Sequence, residues 1–217
     1  MYTVHREELS EMVYRSIKEM ILTNQLSTGE KIVQEKIASQ LGVSRSPLLA
    51  ALAKLEREML IQIVPRKGAF VRKLSVKEFV DLYEIRLRLE PLGAYEAAVR
   101  RSDKQLKELK KLLTECEKSM NKTHTGGLKK ADYKFHMKIM EISENEFLYR
   151  MVSVSNMMLM SNLEGLLKTP EKSLKDHKNI FKAIAGRKGK NAEQFMYEHI
   201  LESVNNLKKR ENINAKD

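Results

Sequence analysis

Gly42-Val43-Ser44-Arg45-Ser46-Pro47-Leu48-Leu49-Ala50-Ala51-Leu52 is the stretch on which the fold turns. Glycine stands where a short helix, Val33 to Leu41, has to stop, and a left-handed residue after a helix is sterically free only for glycine. Ser44 follows as a candidate N-cap, and Pro47 sits inside the next first turn. A second helix therefore begins almost at once and runs to about Met59. Leu48, Leu52 and Leu55 form its buried side, with Leu49 as a further candidate.

Reading outward, Leu9, Met12, Val13, Ile17, Met20 and Ile21 recur at helical spacing, and Thr28-Gly29-Glu30 closes that first helix with a turn. Downstream, two β-prone runs, Ile61 to Val64 and Ala69 to Arg72, flank a Pro65-Arg66-Lys67-Gly68 turn. Helix, helix, turn, helix and basic hairpin is the order of a winged helix-turn-helix. Its third helix opens with Ser44, Arg45 and Ser46, whose free amides, hydroxyls and guanidinium suit phosphate contact and guanine recognition. Arg66 and Lys67 charge the tip of the hairpin. The alternative is a small α/β cap with a solvated basic hairpin.

Composition sets the outer limits. The 217 residues are 42% hydrophobic and 32% charged, with 9 Gly and 4 Pro, which excludes collagenous and wholly disordered chains. No run approaches the roughly 18 apolar residues of a membrane helix, and no apolar segment of a secretory signal is visible. A single cysteine, Cys116, excludes an internal disulfide and any multi-cysteine zinc site. A soluble, cytoplasmic protein is expected. Lys and Arg total 40 against 29 Asp and Glu, a formal charge of +11, which fits a polyanionic partner such as nucleic acid and fits a merely solvated lysine-rich surface equally well.

The residues from Val43 to Pro47, then Ala51-Leu52, Leu55-Glu56 and Gly68-Ala69-Phe70-Val71, resemble the operator-binding domain of the GntR family of bacterial transcription regulators. The resemblance spans about Leu9 to Leu74. It implies that Arg45 reads operator DNA beside Ser44 and Ser46, and that Gly68 lets the wing approach. Two positions depart from the pattern: Leu49 stands where the family usually has arginine, and Glu35 where a basic residue is common.

From Leu74 onward the pattern is helical. Ser75-Val76-Lys77-Glu78 is a capping box opening a long helix that Pro91 should kink or divide. Further helices are expected over Asp103 to Asn121, Leu128 to Ser143 after a flexible Thr123–Gly127 break, Glu146 to Leu167, Pro170 to Ala185 and Asn191 to Lys209, with a frayed end. Phe147 to Leu167 is apolar nearly all round and reads as a central, buried helix.

Asp132 and His136, four residues apart, project from one helix face, while His177 and His199 lie on two later helices. Three imidazoles and a carboxylate from a helical bundle could converge on one divalent ion. The separations match no short metal motif, and ordinary bundle histidines are the competing account. His5 and His124 are poor candidates. Tyr83-Glu84-Ile85-Arg86 with Glu90, Asp132-x-x-x-His136, Asp176-His177-x-x-Ile180 and His199 resemble the FadR C-terminal domain, an all-helical effector domain, over about Ser75 to Leu207. The resemblance implies that Asp132, His136, His177 and His199 hold a divalent metal, zinc or nickel. It further implies that Arg86 faces an effector cavity; a surface ion pair with Glu90 is the alternative for that arginine.

The expectation is a mainly α protein, with a winged helix-turn-helix over residues 1–74 and an all-α helical-bundle effector domain over residues 75–217. Its partners would be double-stranded operator DNA, a small organic acid and a second copy of itself. A metal-dependent hydrolase and a ligand-free helical interaction module are the competing classes.

Overall fold

The computed structural model describes residues 5–120, 125–154 and 167–214, and divides the chain into two compact units, Met1–Lys73 and Leu74–Asp217. Nine helices and three short strands lie among the described residues.

In the first unit, α1 (His5–Leu22) and α2 (Gln34–Leu41) precede α3 (Arg45–Arg57), and a hairpin of β2 (Ile61–Val64) and β3 (Gly68–Val71) follows. The hairpin is antiparallel, with Ile61 opposite Val71 and Val64 opposite Gly68. A two-residue strand, β1 (Lys31–Ile32), pairs with the other edge of β3, giving the order β1-β3-β2. Two residues carry no alternating pattern, so β1 has no signature in the sequence.

Val13, Ile17 and Ile21 of α1 close over Leu48, Leu52 and Leu55 of α3 to form the core. Leu9 and Met12, read as part of the buried stripe, are 38% and 63% exposed. Tyr14 is buried instead; its hydroxyl donates to the Glu58 carboxylate, and the Lys54 ammonium stands 4.0 Å from its ring centroid. An aromatic ring with a polar tip can close the core margin where a phenolic partner is available. Leu49 also departs from its expected burial, at 43% exposed, because the turn of α3 that buries Leu48 and Leu52 faces it outward.

The second unit is built around α4 (Val76–Arg100), which packs against α6 (Thr125–Ile142), α8 (Pro170–Ala185) and α9 (Gly189–Asn214). Helix α5 (Asp103–Met120) lies against α6 and α8, and α7 (Glu146–Val154) against α6. Pro91 does not divide α4. It is buried within one continuous 25-residue helix.

Gly93 permits the tightest approach along α4: a Cβ there would stand 2.7 Å from the Met140 sulfur and 3.3 Å from Leu148. Helix α6 starts three residues earlier than expected, inside the stretch read as a flexible break, and α9 continues to Asn214 through much of the stretch read as frayed. The all-round burial expected from Phe147 onward fails over α7. Leu148 and Val152 are buried, while Phe147 is 82% and Met151 57% exposed. Residues 155–166 of that expected helix lie outside the described residues.

The Ser75 hydroxyl accepts from the Glu78 amide at 3.2 Å, and the Glu78 carboxylate accepts from the Ser75 amide at 2.8 Å, completing the capping box of α4. Ser75→Ala should lower the unfolding free energy of this helical unit by about 1 kcal/mol. Chemical denaturation followed by circular dichroism checks it; an unchanged midpoint would contradict the role given to the cap.

Candidate nucleic-acid interface and candidate metal centre

In the first unit, Gly42 takes φ 63° and its amide donates to the Ala38 and Ser39 carbonyls, ending α2 in a left-handed cap. Ser44 is extended at the N-cap of α3, yet its side chain accepts no capping hydrogen bond. The hydroxyl and the first-turn amides of α3 are therefore not consumed by a local cap. Ser44, Arg45 and Ser46 are exposed, while Pro47 and Leu48 turn inward. Leu49, one turn beyond Arg45, and Glu35 on α2 are exposed as well.

Lys67 donates to the Val64 carbonyl at 3.0 Å, and Arg66 adopts φ 62° at the turn, so the tip projects Arg66 and Lys67 into solvent. Neither they nor Arg45 make an ion pair with another described residue. Gly68 has φ 106°, a conformation closed to side-chain-bearing residues, and Lys31 of β1 lies beside it. The glycine is required by the backbone itself.

In the second unit, three helices deliver three imidazoles to one place. His136 on α6, His177 on α8 and His199 on α9 are all buried, and one ligand nitrogen from each lies within 4.8 Å of the others. His136 Nε2 and His177 Nε2 are 3.2 Å apart. Asp132, one turn before His136, approaches two of the three: its Oδ1 is 3.6 Å from His177 Nε2 and 4.0 Å from His136 Nε2.

Behind the imidazoles stand two carboxylates. Glu90 of α4 meets His136 Nδ1 at 2.6 Å through Oε2 and binds Arg86 through Oε1. Burial would raise the Glu90 carboxyl, but the guanidinium and the imidazole outweigh it and hold it down to about 2. An ionised carboxylate only accepts, so His136 Nδ1 carries a proton, and Nε2 is the His136 nitrogen that faces His177. Asp176 stands on the other side, with Oδ2 at 3.1 Å from His199 Nδ1, and the Lys168 ammonium lies 3.2 Å from the same nitrogen. Burial opposes its ionisation too, but hydrogen bonds from His199, Lys168 and Lys172 hold it well below the usual carboxylate range. Lys168, its side chain buried, donates to Asp176 at 2.8 Å and pairs with Glu202 at 3.1 Å.

Two of the three imidazoles, His177 and His199, are pushed away from the charged form. Burial pushes His177 well below its ordinary range, helped by the neighbouring His136; Phe135 stacks on its ring at 4.5 Å. Burial, with His177 and Lys168 nearby, takes His199 down to about 3. A neutral ring is the state in which histidine ligates a metal. Three nitrogens and a nearby carboxylate suit borderline divalent ions better than oxygen-seeking magnesium or calcium.

A cavity of about 30 Å³ adjoins the cluster, lined by Tyr83, Arg86, Asp132, His136, Lys168 and His199 among others. That is room for a water or two. Arg86 lies in the wall of this cavity, only 4% exposed and 4.6 Å from the centroid of the Tyr83 ring, so its pairing with Glu90 is buried and not the surface pair considered above. Sequence reasoning missed what Glu90 and Lys168 do here. Glu90 registered through its four-residue spacing from Arg86 and as part of the family resemblance, with no role beside the histidines, and Lys168 belongs to no pattern at all.

The chain resembles known proteins over most of its length. The family model for the FCD domain matches residues 81–202, and that for the bacterial regulatory proteins of the gntR family matches residues 9–71. The Nta operon transcriptional regulator of Aminobacter aminovorans is 31% identical over 182 residues, 83% of this chain and 86% of that protein. An uncharacterised HTH-type transcriptional regulator of Bacillus subtilis, YdhC, is 28% identical over 200 residues, 90% of this chain and 89% of that protein. Among solved structures, Escherichia coli McbR/YncC superposes with a TM-score of 0.80 at 18% identity, covering 93% of this chain and 98% of that one. At that identity it is the fold that is shared.

The depressed histidines make stability depend on pH in a definite direction. An unfolded imidazole takes up a proton near pH 6.5, whereas folded His177 and His199 stay neutral far below that. In that interval the unfolded chain binds more protons, so stability falls as pH falls. The melting temperature of chelator-treated protein should drop between about pH 6.5 and 5, and His199→Gln should flatten the slope. A melting temperature independent of pH there would contradict the buried, neutral assignment.

Proposed function

Because the chain belongs to the gntR family of bacterial regulatory proteins and carries an FCD domain, we propose that it is an effector-controlled, metal-containing regulator of transcription. DNA binding and regulation of transcription belong to the family. The finer reading is that one divalent ion, zinc or nickel, is held by His136, His177 and His199 with Asp132 as the fourth donor, and that a small carboxylate effector binds beside it.

The observation that carries this reading is the convergence of three buried imidazoles, two of them backed by carboxylates. Such backing fixes the tautomer and aims the ligating nitrogen. The bound ion would supply positive charge at which an effector carboxylate can be held. Arg86, in the cavity wall, offers a guanidinium to the same carboxylate. Effector binding would then shift the population of arrangements of a homodimer and so change its operator affinity.

At the DNA, Arg45 would read base edges, with Ser44 and Ser46 on the adjacent phosphates and Arg66, Lys67 and Gly68 forming the wing contact. Leu49 supplies no charge where a second reader could stand, which concentrates recognition on Arg45. The hydrolase alternative has weaker support. Glu90 and Asp176 are each engaged by a cation and an imidazole, and the relatives above are named as transcriptional regulators.

His177→Ala should reduce bound zinc or nickel from about one equivalent per chain to a small fraction, measured by elemental mass spectrometry after reconstitution and desalting. Wild-type protein that stays folded yet retains less than about a tenth of an equivalent would overturn the metal assignment. Arg45→Ala should weaken binding to a selected operator by ~1–3 kcal/mol, about 5- to 150-fold, with folding unchanged. Fluorescence anisotropy with operator and scrambled duplexes checks it; equal affinity for the operator would remove Arg45 from the reading surface.

A further inference from the structure

The outward side of α3 carries a single charge over roughly its first two turns. Arg45, Ser46, Leu49 and Ala50 are exposed there and Ala53 is half-buried. Leu48 and Leu52 take the core side. Lys54, the first charge after Arg45, leaves the outward side: its ammonium binds Glu11 of α1 at 2.6 Å and lies over the Tyr14 ring. Glu56 follows about three turns on from Arg45, and its Oε1 accepts from the Ile63 amide at 3.0 Å. Beyond Arg45 and Ser46, the outward side is therefore a leucine flanked by two alanines.

Leu49 follows Arg45 by four residues. The two side chains leave the helix about 40° apart around its axis and about 6 Å apart along it, so both address one surface. A lone exposed leucine needs no explanation on an ordinary protein surface. On the face that Arg45 brings to DNA it has a chemical consequence. Every base pair presents hydrogen-bonding atoms in the major groove, and thymine alone adds an apolar group, its C5 methyl. Against a G·C pair, the Leu49 isobutyl group would strip water from donors and acceptors and return no hydrogen bond. Against thymine it covers the methyl, and two apolar surfaces leave water together. Ala50 and Ala53 are shorter than Leu49, so this contact falls to the leucine.

We propose that Leu49 is a specificity-determining residue that reads a thymine methyl, within about two base-pair steps of the base read by Arg45. This rests on Arg45 facing the bases, as proposed above, and adds a second, apolar reader on the same helix. Each half-site then holds a guanine hydrogen-bonded to the guanidinium and a neighbouring thymine packed on the isobutyl group. Methyl contact discriminates by dehydration and not by charge. The preference for thymine is accordingly independent of salt, while overall affinity, which depends on phosphate contacts, falls as salt rises.

The test uses a duplex selected from a random-sequence pool with the full-length protein. Each of its thymines is replaced singly by deoxyuridine, which deletes the methyl and keeps the base pairing. Fluorescence anisotropy should show one thymine per half-site whose replacement weakens wild-type binding about fourfold, the worth of one buried methyl, by a ratio that salt leaves unchanged. Leu49→Ala, with an unchanged helical spectrum because the side chain lies outside the core, should bind the thymine and deoxyuridine duplexes equally. If the wild type binds every deoxyuridine duplex as tightly as the parent, or if Leu49→Ala keeps the preference, Leu49 reads no methyl. Weakened binding by Arg45→Ala in that case leaves α3 as the reading helix. If Arg45→Ala binds the parent duplex as tightly as the wild type, the placement of α3 fails and the Leu49 assignment fails with it.

Discussion

Glu90 is the residue on which the helical unit depends. Its carboxylate has no exposure to solvent, and it stands between the Arg86 guanidinium one turn away and His136 on a different helix. Burying an ionised carboxylate is tolerated only when cations and hydrogen bonds replace its lost hydration, and removing either partner leaves a costly unpaired charge. The pairing therefore ties α4 to α6 at one depth and one rotation. It also holds a proton on His136 Nδ1. Asp176, held by Lys168, Lys172 and His199, does the same between α8 and α9. The imidazole cluster is a product of these two buried carboxylates as much as of the histidines.

Helix α4 consequently serves two faces at once. Inward it presents Tyr83, Arg86 and Glu90 to the cavity and cluster, and outward it presents Ile85, Leu92 and Val99. A rigid helix cannot rotate one face without moving the other. A charge brought into the cavity thus bears on the same helix that presents this outer face.

How much of this was legible in the sequence depended on distance along the chain. Gly42 after an apolar stripe, the Ser75–Glu78 box, the Pro65–Gly68 turn and the one-turn spacing of Asp132 and His136 are local patterns, and local geometry dictates them. Burial was less legible. Leu49 and Phe147 are apolar residues on helices, and only the packing of neighbouring elements decides that they face outward. Tyr14 displaced Met12 from the core for a reason, its hydroxyl bond to Glu58, that lies 44 residues away. Of the site, the histidines and Asp132 announced themselves by chemical type, and the family resemblance joined them. The partnership of Glu90 with His136 spans 46 residues, and that of Lys168 with His199 spans 31, so no spacing rule reaches either.

The central claim is that the three buried imidazoles ligate one divalent ion, with Asp132 beside them. X-ray absorption of the full-length protein carrying one equivalent of zinc tests it most directly. The account predicts a shell of nitrogen and oxygen only, with multiple scattering from three imidazoles, lost stepwise in His136→Ala and His177→Ala. A shell containing sulfur, or one of oxygen alone without imidazole scattering, would contradict it.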